Sequence, residues 1–233
     1  MDFMISSGDF LMLYLGLELA TIPIAAMAAF DRYKHISAEA GIKLIFSSAL
    51  SSGILLYGLS IIYGTTGSIY FQEVTQAFRM EGLPMLGLIF FITGMGFKIS
   101  LVPFHLWTAD VYEGSPIAVT SYLSVVSKGA AVFVLTYVLY SVFGQVSEIW
   151  STVIVALSIT TMTIGNLFAL RQKNMKRFLA FSSIAQAGFI LLGILGMDSL
   201  GMGTVLFFLL VYVFTNLAAF SVVAAIDNKT GKE

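Results

Sequence analysis

Long apolar runs constrain this chain more than any other feature of its sequence. Most of them have about twenty residues or more and carry no charge or one, enough to cross an apolar core of about 30 Å at 1.5 Å per helical residue. Hydrophobic residues make up 58% of the 233 residues and charged residues 11%, whereas about 25% is usual for charged residues. The sequence therefore predicts an all-α polytopic transmembrane helix bundle that forms a single domain over residues 1–233.

Seven spans are expected from the positions of these runs. They are Phe10 to Phe30, Gly41 to Tyr63, Leu83 to Val111, Ile117 to Phe143, Ile149 to Leu170, Phe178 to Met197 and Leu200 to Ile226. A polar loop, Gly64 to Gly82, separates the second span from the third. The third run is too long for one straight crossing, and Pro103 within it has no backbone N–H to donate. We therefore predict that this helix is broken near Ile99 to Pro103.

The basic residues outside the apolar runs indicate the orientation of the chain. One set of connections carries nearly all of them, namely Arg32, Lys34, Arg171, Lys173, Lys176, Arg177, Lys229 and Lys232. The opposite set carries Arg79. By the positive-inside rule the first set faces the cytoplasm, and the N-terminus lies outside. The first run contains Glu18 and no basic segment precedes it, so we do not expect a cleaved signal peptide.

The composition argues against several classes of function. A formal net charge of −1 gives no overall field that would attract nucleic acid. The chain has no cysteine, which removes thiolate ligation of iron–sulfur clusters or zinc. Its two histidines, His35 and His105, are too few and too far apart in the sequence for a haem pair or a metal cage. We expect no cofactor or metal in this chain and a lipid bilayer around it.

Ionisable residues inside apolar runs are candidate functional residues, because each costs several kcal/mol near the bilayer centre. Glu18, Lys98 and Lys128 are predicted to form a row near the membrane midplane, about 18 to 20 Å from the cytoplasmic ends of their spans at helical rise. A nearby opposite charge opposes the effect of burial, so the distance between Glu18 and Lys98 would set the proton affinity of the lysine. A static ion pair that fixes helix packing is the alternative.

Other candidates also have a functional and a structural interpretation. His105, just after the break, can pass a proton through its two ring nitrogens, or it can pack as a hydrogen-bonded histidine. Lys128 is too deep for its stem to reach the headgroups, which favours a hydrated cavity over snorkelling. Pro103 marks either a discontinuous helix, as at transporter midplanes, or only a kink. Glu39 and Lys43, four residues apart, form either a surface helical pair or a point of proton uptake.

Three stretches of the chain resemble one known family. They are FKISLVPFHLWTADVYEGSPIAVTSYLSVVSK, GNLFALRQKNMKRFLAFSSIAQAG and LGLELATIP. These resemble the N-type antiporter-like membrane subunit of NADH-quinone oxidoreductase, respiratory complex I. In the wider group, which includes cation/proton antiporter complexes, LHAATMV usually stands where this chain has VVSKGA, and this difference favours the N type. The resemblance covers essentially the whole chain but only about helices five to eleven of the family, so we expect part of an antiporter-like inverted-repeat fold.

The resemblance implies roles for particular residues. Glu18, Lys98, His105 and Lys128 match groups that form part of a hydrated proton path along the membrane arm in that family. Gln186 stands where many members have histidine, so the central relay would use an amide that orients water but cannot take up a proton. The resemblance also implies that NADH and quinone are used elsewhere in the complex, that other membrane subunits are partners, and that the setting is a bacterial inner membrane.

The leading hypothesis is a proton-translocating subunit of a NADH:quinone reductase, in which Glu18 sets the proton affinity of Lys98 and Lys98 exchanges a proton with Lys128 through water. Two other functions stay open. A subunit of a sodium/proton antiporter complex would share the fold and the charges. A structural membrane-arm subunit would bind its neighbours and lipid without carrying protons.

Overall fold

A computed structural model describes residues 1–31, 33–197 and 199–230, except for the side chains of residues 199 and 230. Arg32 and Lys232, two of the basic residues used to predict the orientation, lie outside this described part. Within it, the chain forms helices and their connections, with one isolated β-bridge between Asp9 and Tyr70.

Seven helical segments of the described chain are long and apolar enough to cross a membrane, as predicted. In chain order the helices are α1 (Asp2–Ile5), α2 (Phe10–Ala28), α3 (His35–Thr66), α4 (Phe71–Ala77), α5 (Gly82–Ile99), α6 (Leu106–Gly114), α7 (Ile117–Tyr122), α8 (Lys128–Ser141), α9 (Ser147–Ala169), α10 (Met175–Ile194) and α11 (Ser199–Thr230). A π-helical turn, Leu123–Ser127, joins α7 to α8 in one continuous span. The spans are therefore α2, α3, α5, α7 with α8, α9, α10 and α11.

Two sequence-based predictions differ clearly from the structure, whereas the other span ends agree within about four residues. The second span begins at His35 and not at Gly41, because the chain is already helical through the polar residues that precede the apolar run. The connection from Gly64 to Gly82, predicted to be a loop, contains α4. Phe71 and Val74 of α4 are buried in the hydrophobic core, and this tertiary packing stabilises a helix too short to persist alone.

The long third run is broken after Ile99, as predicted: α5 is the part that can cross the membrane, and α6 follows the break as a separate short helix. Ser100 ends α5 in the left-handed conformation with φ of 68°, and the Val102–Pro103 peptide bond is cis. Side chains of α6 and α9 form hydrogen bonds with backbone groups at the break. The Val102 N–H donates to Thr161 Oγ1 of α9 at 3.0 Å, and the indole N–H of Trp107 donates to the Phe97 carbonyl at 3.2 Å. These bonds matter because an unsatisfied backbone group in apolar surroundings costs several kcal/mol.

Close packing of α3 on α5 uses glycines, but not Gly53, which is exposed and has no other atom near its Cβ position. At Gly58 an added Cβ would lie 2.9 Å from the Gly87 carbonyl oxygen, so the two backbones approach too closely for a larger residue. Small residues at such crossings allow the backbone contact that drives helix association in membranes.

We predict that Gly114→Ala displaces α6. A Cβ at this position would overlap the Ile36 carbonyl oxygen of α3, and neither backbone can give way cheaply. The expected loss is about 1–3 kcal/mol of stability, as for overpacked cores. It should appear as a lower thermal unfolding midpoint of the detergent-solubilised protein. Gly53→Ala is the matched control and should leave the midpoint unchanged or slightly raised, because alanine is the better helix former. Equal midpoints for both variants would contradict the close contact.

Candidate functional site

Lys98 lies in the last turn of α5, just before the break. The carbonyl end of a helix carries partial negative charge and favours a cation there. The Nζ of Lys98 donates a hydrogen bond to Thr21 Oγ1 of α2 at 2.6 Å. Thr21 is buried and donates its own hydroxyl proton to the Leu17 carbonyl at 2.7 Å, so its oxygen is free to accept from the ammonium.

Glu18 lies near the middle of α2 and accepts a hydrogen bond from the Ser52 hydroxyl of α3. It interacts electrostatically with Lys98. However, the two groups form no ion pair within 4.0 Å. Glu18 and Thr21 are three residues apart on α2 and share one face of the helix. The lysine is therefore hydrogen-bonded one turn away from its predicted partner.

A narrow cavity next to Lys98 has room for about one water molecule. Four residues of its wall are serines from α3, namely Ser47, Ser48, Ser51 and Ser52. On the opposite side it reaches Ser127, the residue immediately before Lys128. These serines thus provide part of the polar wall of a cavity that has Lys98 at one place and the neighbour of Lys128 at another.

Lys128 begins α8, directly after the π-helical turn. A turn of this kind inside an α-helix is rare and is frequent at functional sites. The lysine is 4% exposed and donates from Nζ to Ser183 Oγ of α10 at 2.7 Å. Its Nζ also lies 5.7 Å from the centroid of the Tyr112 ring, where a cation is attracted to the ring face. Lys128 is thus held inside the bundle by a hydroxyl and an aromatic ring.

Buried polar atoms without a hydrogen-bond partner are concentrated, in the described chain, on one short segment. They belong to Ser100, His105, Thr108, Tyr112 and Ser115. The last four are spaced by three, four and three residues, which places them on one face of α6. The Tyr112 hydroxyl is near Ser124 and Ser183 but lacks the geometry of a hydrogen bond to either. Buried polar groups usually need a partner, so this polar face of α6 is suited to binding water.

Gln186 is partly buried and lies three residues after Ser183 on α10. The two side chains therefore share a face of this helix. Gln186, the predicted central relay, therefore lies about one helical turn further along α10 than Ser183, whose hydroxyl binds Lys128.

Glu39 and Lys43 form the predicted pair at 2.6 Å, but they are only the edge of a larger charged network. Lys43 Nζ also lies 2.5 Å from Asp110 of α6. Arg177 of α10 contacts both Asp110 and Glu113 at 2.7 Å. The network joins α3, α6 and α10, and it lies on the side of the basic connections. Sequence reasoning missed it because the three segments are far apart in the chain.

Asp110 is outside the seven candidate spans, and its pKa is lowered. Burial of the carboxyl raises the pKa, but hydrogen bonds from Lys43 and Arg177 and their positive charges outweigh burial. The folded chain therefore favours the charged form of Asp110 more than an unfolded chain would.

Sequence reasoning also missed Thr21, Ser52 and Ser183, the hydroxyl partners of Glu18 and the two lysines. The available signal was weak. Thr21 is three residues from Glu18 and Ser183 three from Gln186, but serine and threonine are common in membrane helices and usually bond to their own backbone. Only the packing of helices from distant parts of the sequence distinguishes these hydroxyls from the others.

The fold and these buried charges define a class of antiporter-like membrane subunits. A family model described as NADH:quinone oxidoreductase/Mrp antiporter, TM, matches residues 7–233. The chain belongs to this family.

Curated relatives within the family are similar over nearly the whole chain. It is 55% identical to the NADH-quinone oxidoreductase subunit N of Azobacteroides pseudotrichonymphae and 52% identical to that of Phocaeicola vulgatus, in each case over 99% of this chain. These matches cover 48% and 49% of the relatives. The chain therefore spans about half the length of the curated relatives it matches.

Solved structures show the same architecture. A chain of respiratory complex I from Thermus thermophilus is similar with a TM-score of 0.80 and 34% identity, over 95% of this chain and 48% of that one. A chain of the Mrp complex from Dietzia is similar with a TM-score of 0.86 and 26% identity, over 94% and 42%. The antiporter-like fold predicted from the sequence is confirmed.

We predict that Asp110→Asn lowers thermal stability at neutral pH, by the equivalent of about 1 kcal/mol or less because the network is partly exposed to solvent. A carboxyl with a lowered folded pKa stabilises the protein above its unfolded value, 3.8 here, and this contribution is lost as the pH falls through the lower folded value. Thermal unfolding midpoints across pH should therefore differ between wild type and variant at pH 5 to 8 and converge below about pH 4. If the difference in midpoint between wild type and variant disappears already near pH 6, a group other than Asp110 is responsible for the pH dependence. Glu73→Gln, on α4 outside the network, is the control.

Proposed function

We propose that this chain is part of a proton-translocating membrane subunit of an NADH-quinone oxidoreductase, and that Lys98 and Lys128 carry the proton. The observation that supports this is the nature of their partners. Both ammonium groups lie inside the helix bundle, and each is hydrogen-bonded to a neutral hydroxyl and not to a carboxylate.

A hydroxyl partner suits a group that must gain and lose a proton. Direct contact with a carboxylate would hold lysine in its charged form, because the opposite charge stabilises that form. A hydroxyl oxygen can accept an N–H from an ammonium and, more weakly, from a neutral amine, so the contact survives deprotonation. The alternative of a static ion pair between Glu18 and Lys98 does not describe this geometry, since the two are not in contact.

Proton uptake would start at the charged network and follow the polar face of α6. Glu39 and Lys43 are at the outer edge of the network, and Asp110 belongs to α6 itself. Water bound along that helix would lead to His105 at the break. His105 can then pass a proton inward through its two nitrogens.

Transfer between the lysines would use the cavity that extends from Lys98 to Ser127, and Gln186 would orient water beyond Lys128. A change in the separation of Glu18 and Lys98 would raise or lower the proton affinity of the lysine and so drive the cycle. Quinone reduction and NADH oxidation, elsewhere in the complex, would supply that change. The chain itself would need no cofactor, and its partners would be other membrane subunits and lipid.

A subunit of a cation/proton antiporter complex is the second candidate, because the Mrp complex from Dietzia shares the fold with a TM-score of 0.86. The two functions differ in the ion that is moved. Sodium-dependent transport in inverted vesicles, without a requirement for NADH and quinone, would favour the antiporter.

We predict that Lys98→Met, in the complete complex in membrane vesicles, lowers both proton pumping and quinone-linked NADH oxidation by at least about tenfold, a modest loss for an essential proton carrier. Methionine keeps the length of the side chain but cannot be protonated. Lys173→Met is the matched control and should leave both rates unchanged, because Lys173 is exposed between α9 and α10.

Assembly must be measured in parallel, by the amount of complex that retains NADH oxidation with an artificial acceptor. Normal pumping in an assembled Lys98→Met complex would refute the proposal and favour a purely structural subunit. Loss of both rates in an assembled complex would support an obligatory role for Lys98.

A further inference from the structure

We propose that Thr21 and Ser52 are positioning residues that keep Glu18 and Lys98 apart, and that Thr21 is a second binding position for the Lys98 ammonium group. This inference rests on the proposed function, because the separation matters only if Lys98 exchanges protons. It goes beyond that function in assigning the separation to two particular hydroxyls.

The Thr21 hydroxyl is oriented to accept a hydrogen bond from Lys98, because its own proton is already donated to another group. A threonine hydroxyl has one proton, and here it goes to the Leu17 carbonyl of the same helix. Both lone pairs of the oxygen therefore point away from that carbonyl, and the Lys98 ammonium donates to one of them at 2.6 Å. The helix backbone thus fixes the acceptor in place before the lysine arrives.

Ser52 binds Glu18, the carboxylate that would otherwise be free to contact Lys98. Its hydroxyl donates to the Glu18 carboxylate from α3, a different helix from the one that carries Lys98. The bond partly satisfies the carboxylate, which reduces the need for a direct contact with the ammonium.

Few other titratable groups lie near Glu18 and Lys98 in the described part of the chain. Facing Lys98 from α2 is Glu18, and Tyr14 on α2 in turn interacts with Glu18. The cavity next to Lys98 is walled by α2, α3, α5, Trp107 and the π-helical turn, and among its described wall residues Lys98 alone is titratable. Lys128 follows Ser127 of that wall. The hydroxyls are therefore the groups that decide between the open arrangement seen here and a closed ion pair.

The two positions are one helical turn apart on α2. Residues three apart on a helix face have Cβ atoms about 5–6 Å from each other, a distance that the flexible lysine stem can cover without a movement of the backbone. At Thr21 the ammonium meets a neutral acceptor, and at Glu18 it would meet a full negative charge. A swing of one side chain would thus switch Lys98 between weak and tight proton binding.

The test compares Thr21→Val with Thr21→Ser in the complete complex, using proton pumping across pH 6 to 9.5. Valine has nearly the shape of threonine but cannot accept, so Lys98 should move onto Glu18 and hold its proton more tightly. We expect pumping at pH 7 to fall about tenfold and the alkaline limb of the pH profile to move up by about one unit, since one unit is a tenfold change in proton affinity. Thr21→Ser keeps the acceptor and should restore both.

Matched controls come from hydroxyls that bond only to their own helix. Thr160 donates to the Ala156 carbonyl on an exposed face of α9, so Thr160→Val should leave the pH profile unchanged. Ser52→Ala is the second variant, with Ser221→Ala on α11 as its control. It should move the alkaline limb in the same direction as Thr21→Val, because an unbound Glu18 is free to approach Lys98. If Thr21→Val does not assemble, Ser52→Ala decides by the same criterion.

A cryo-electron microscopy structure gives a readout independent of activity. In Thr21→Val the Lys98 Nζ should lie within hydrogen-bond distance of the Glu18 carboxylate. A wild-type pH profile in Thr21→Val and Ser52→Ala, with pumping still abolished by Lys98→Met, would overturn this inference and leave the proposed function standing. Normal pumping in Lys98→Met would instead overturn the proposed function itself.

Discussion

The break between α5 and α6 is stabilised by hydrogen bonds from side chains of α6 and α9. Backbone groups released in an apolar interior cost several kcal/mol each unless they find partners. Thr161 of α9 and the indole of Trp107 supply those partners for Val102 and Phe97. Because the break is stable there, α5 ends next to Lys98 and α6 can present its polar face inside the bundle.

Charges are held in two different ways in this fold. Outside the spans, Asp110 is in direct contact with Lys43 and Arg177, and such ion pairs favour one protonation state and one arrangement of the helices. In the interior, Lys98 and Lys128 instead contact hydroxyls. A hydroxyl accepts a hydrogen bond from the amine but favours its charged form less than a carboxylate would, because it carries no negative charge. The network thus anchors α6 against α3 and α10, while Lys98 and Lys128 have neutral hydrogen-bond partners inside the bundle.

Several elements could be predicted from the sequence because their cause is local. Seven spans follow from the length of the apolar runs, and the break follows from Pro103. Other elements could not. Helix α4 forms because Phe71 and Val74 pack on the core, and the close contact of α3 with α5 uses Gly58 and not the nearby Gly53. In each of these cases the deciding neighbour is distant in the chain, so no local pattern reveals it.

By itself, the sequence determined that the chain is a membrane helix bundle and which of its apolar runs carry ionisable residues, because apolar length and residue type can be read along the chain. Only the tertiary structure decided what those residues touch. Lys98 contacts Thr21 and not Glu18, and Lys128 contacts Ser183, since a hydrogen bond depends on helix rotation at the level of a few ångströms. That rotation is set by the packing of the whole bundle.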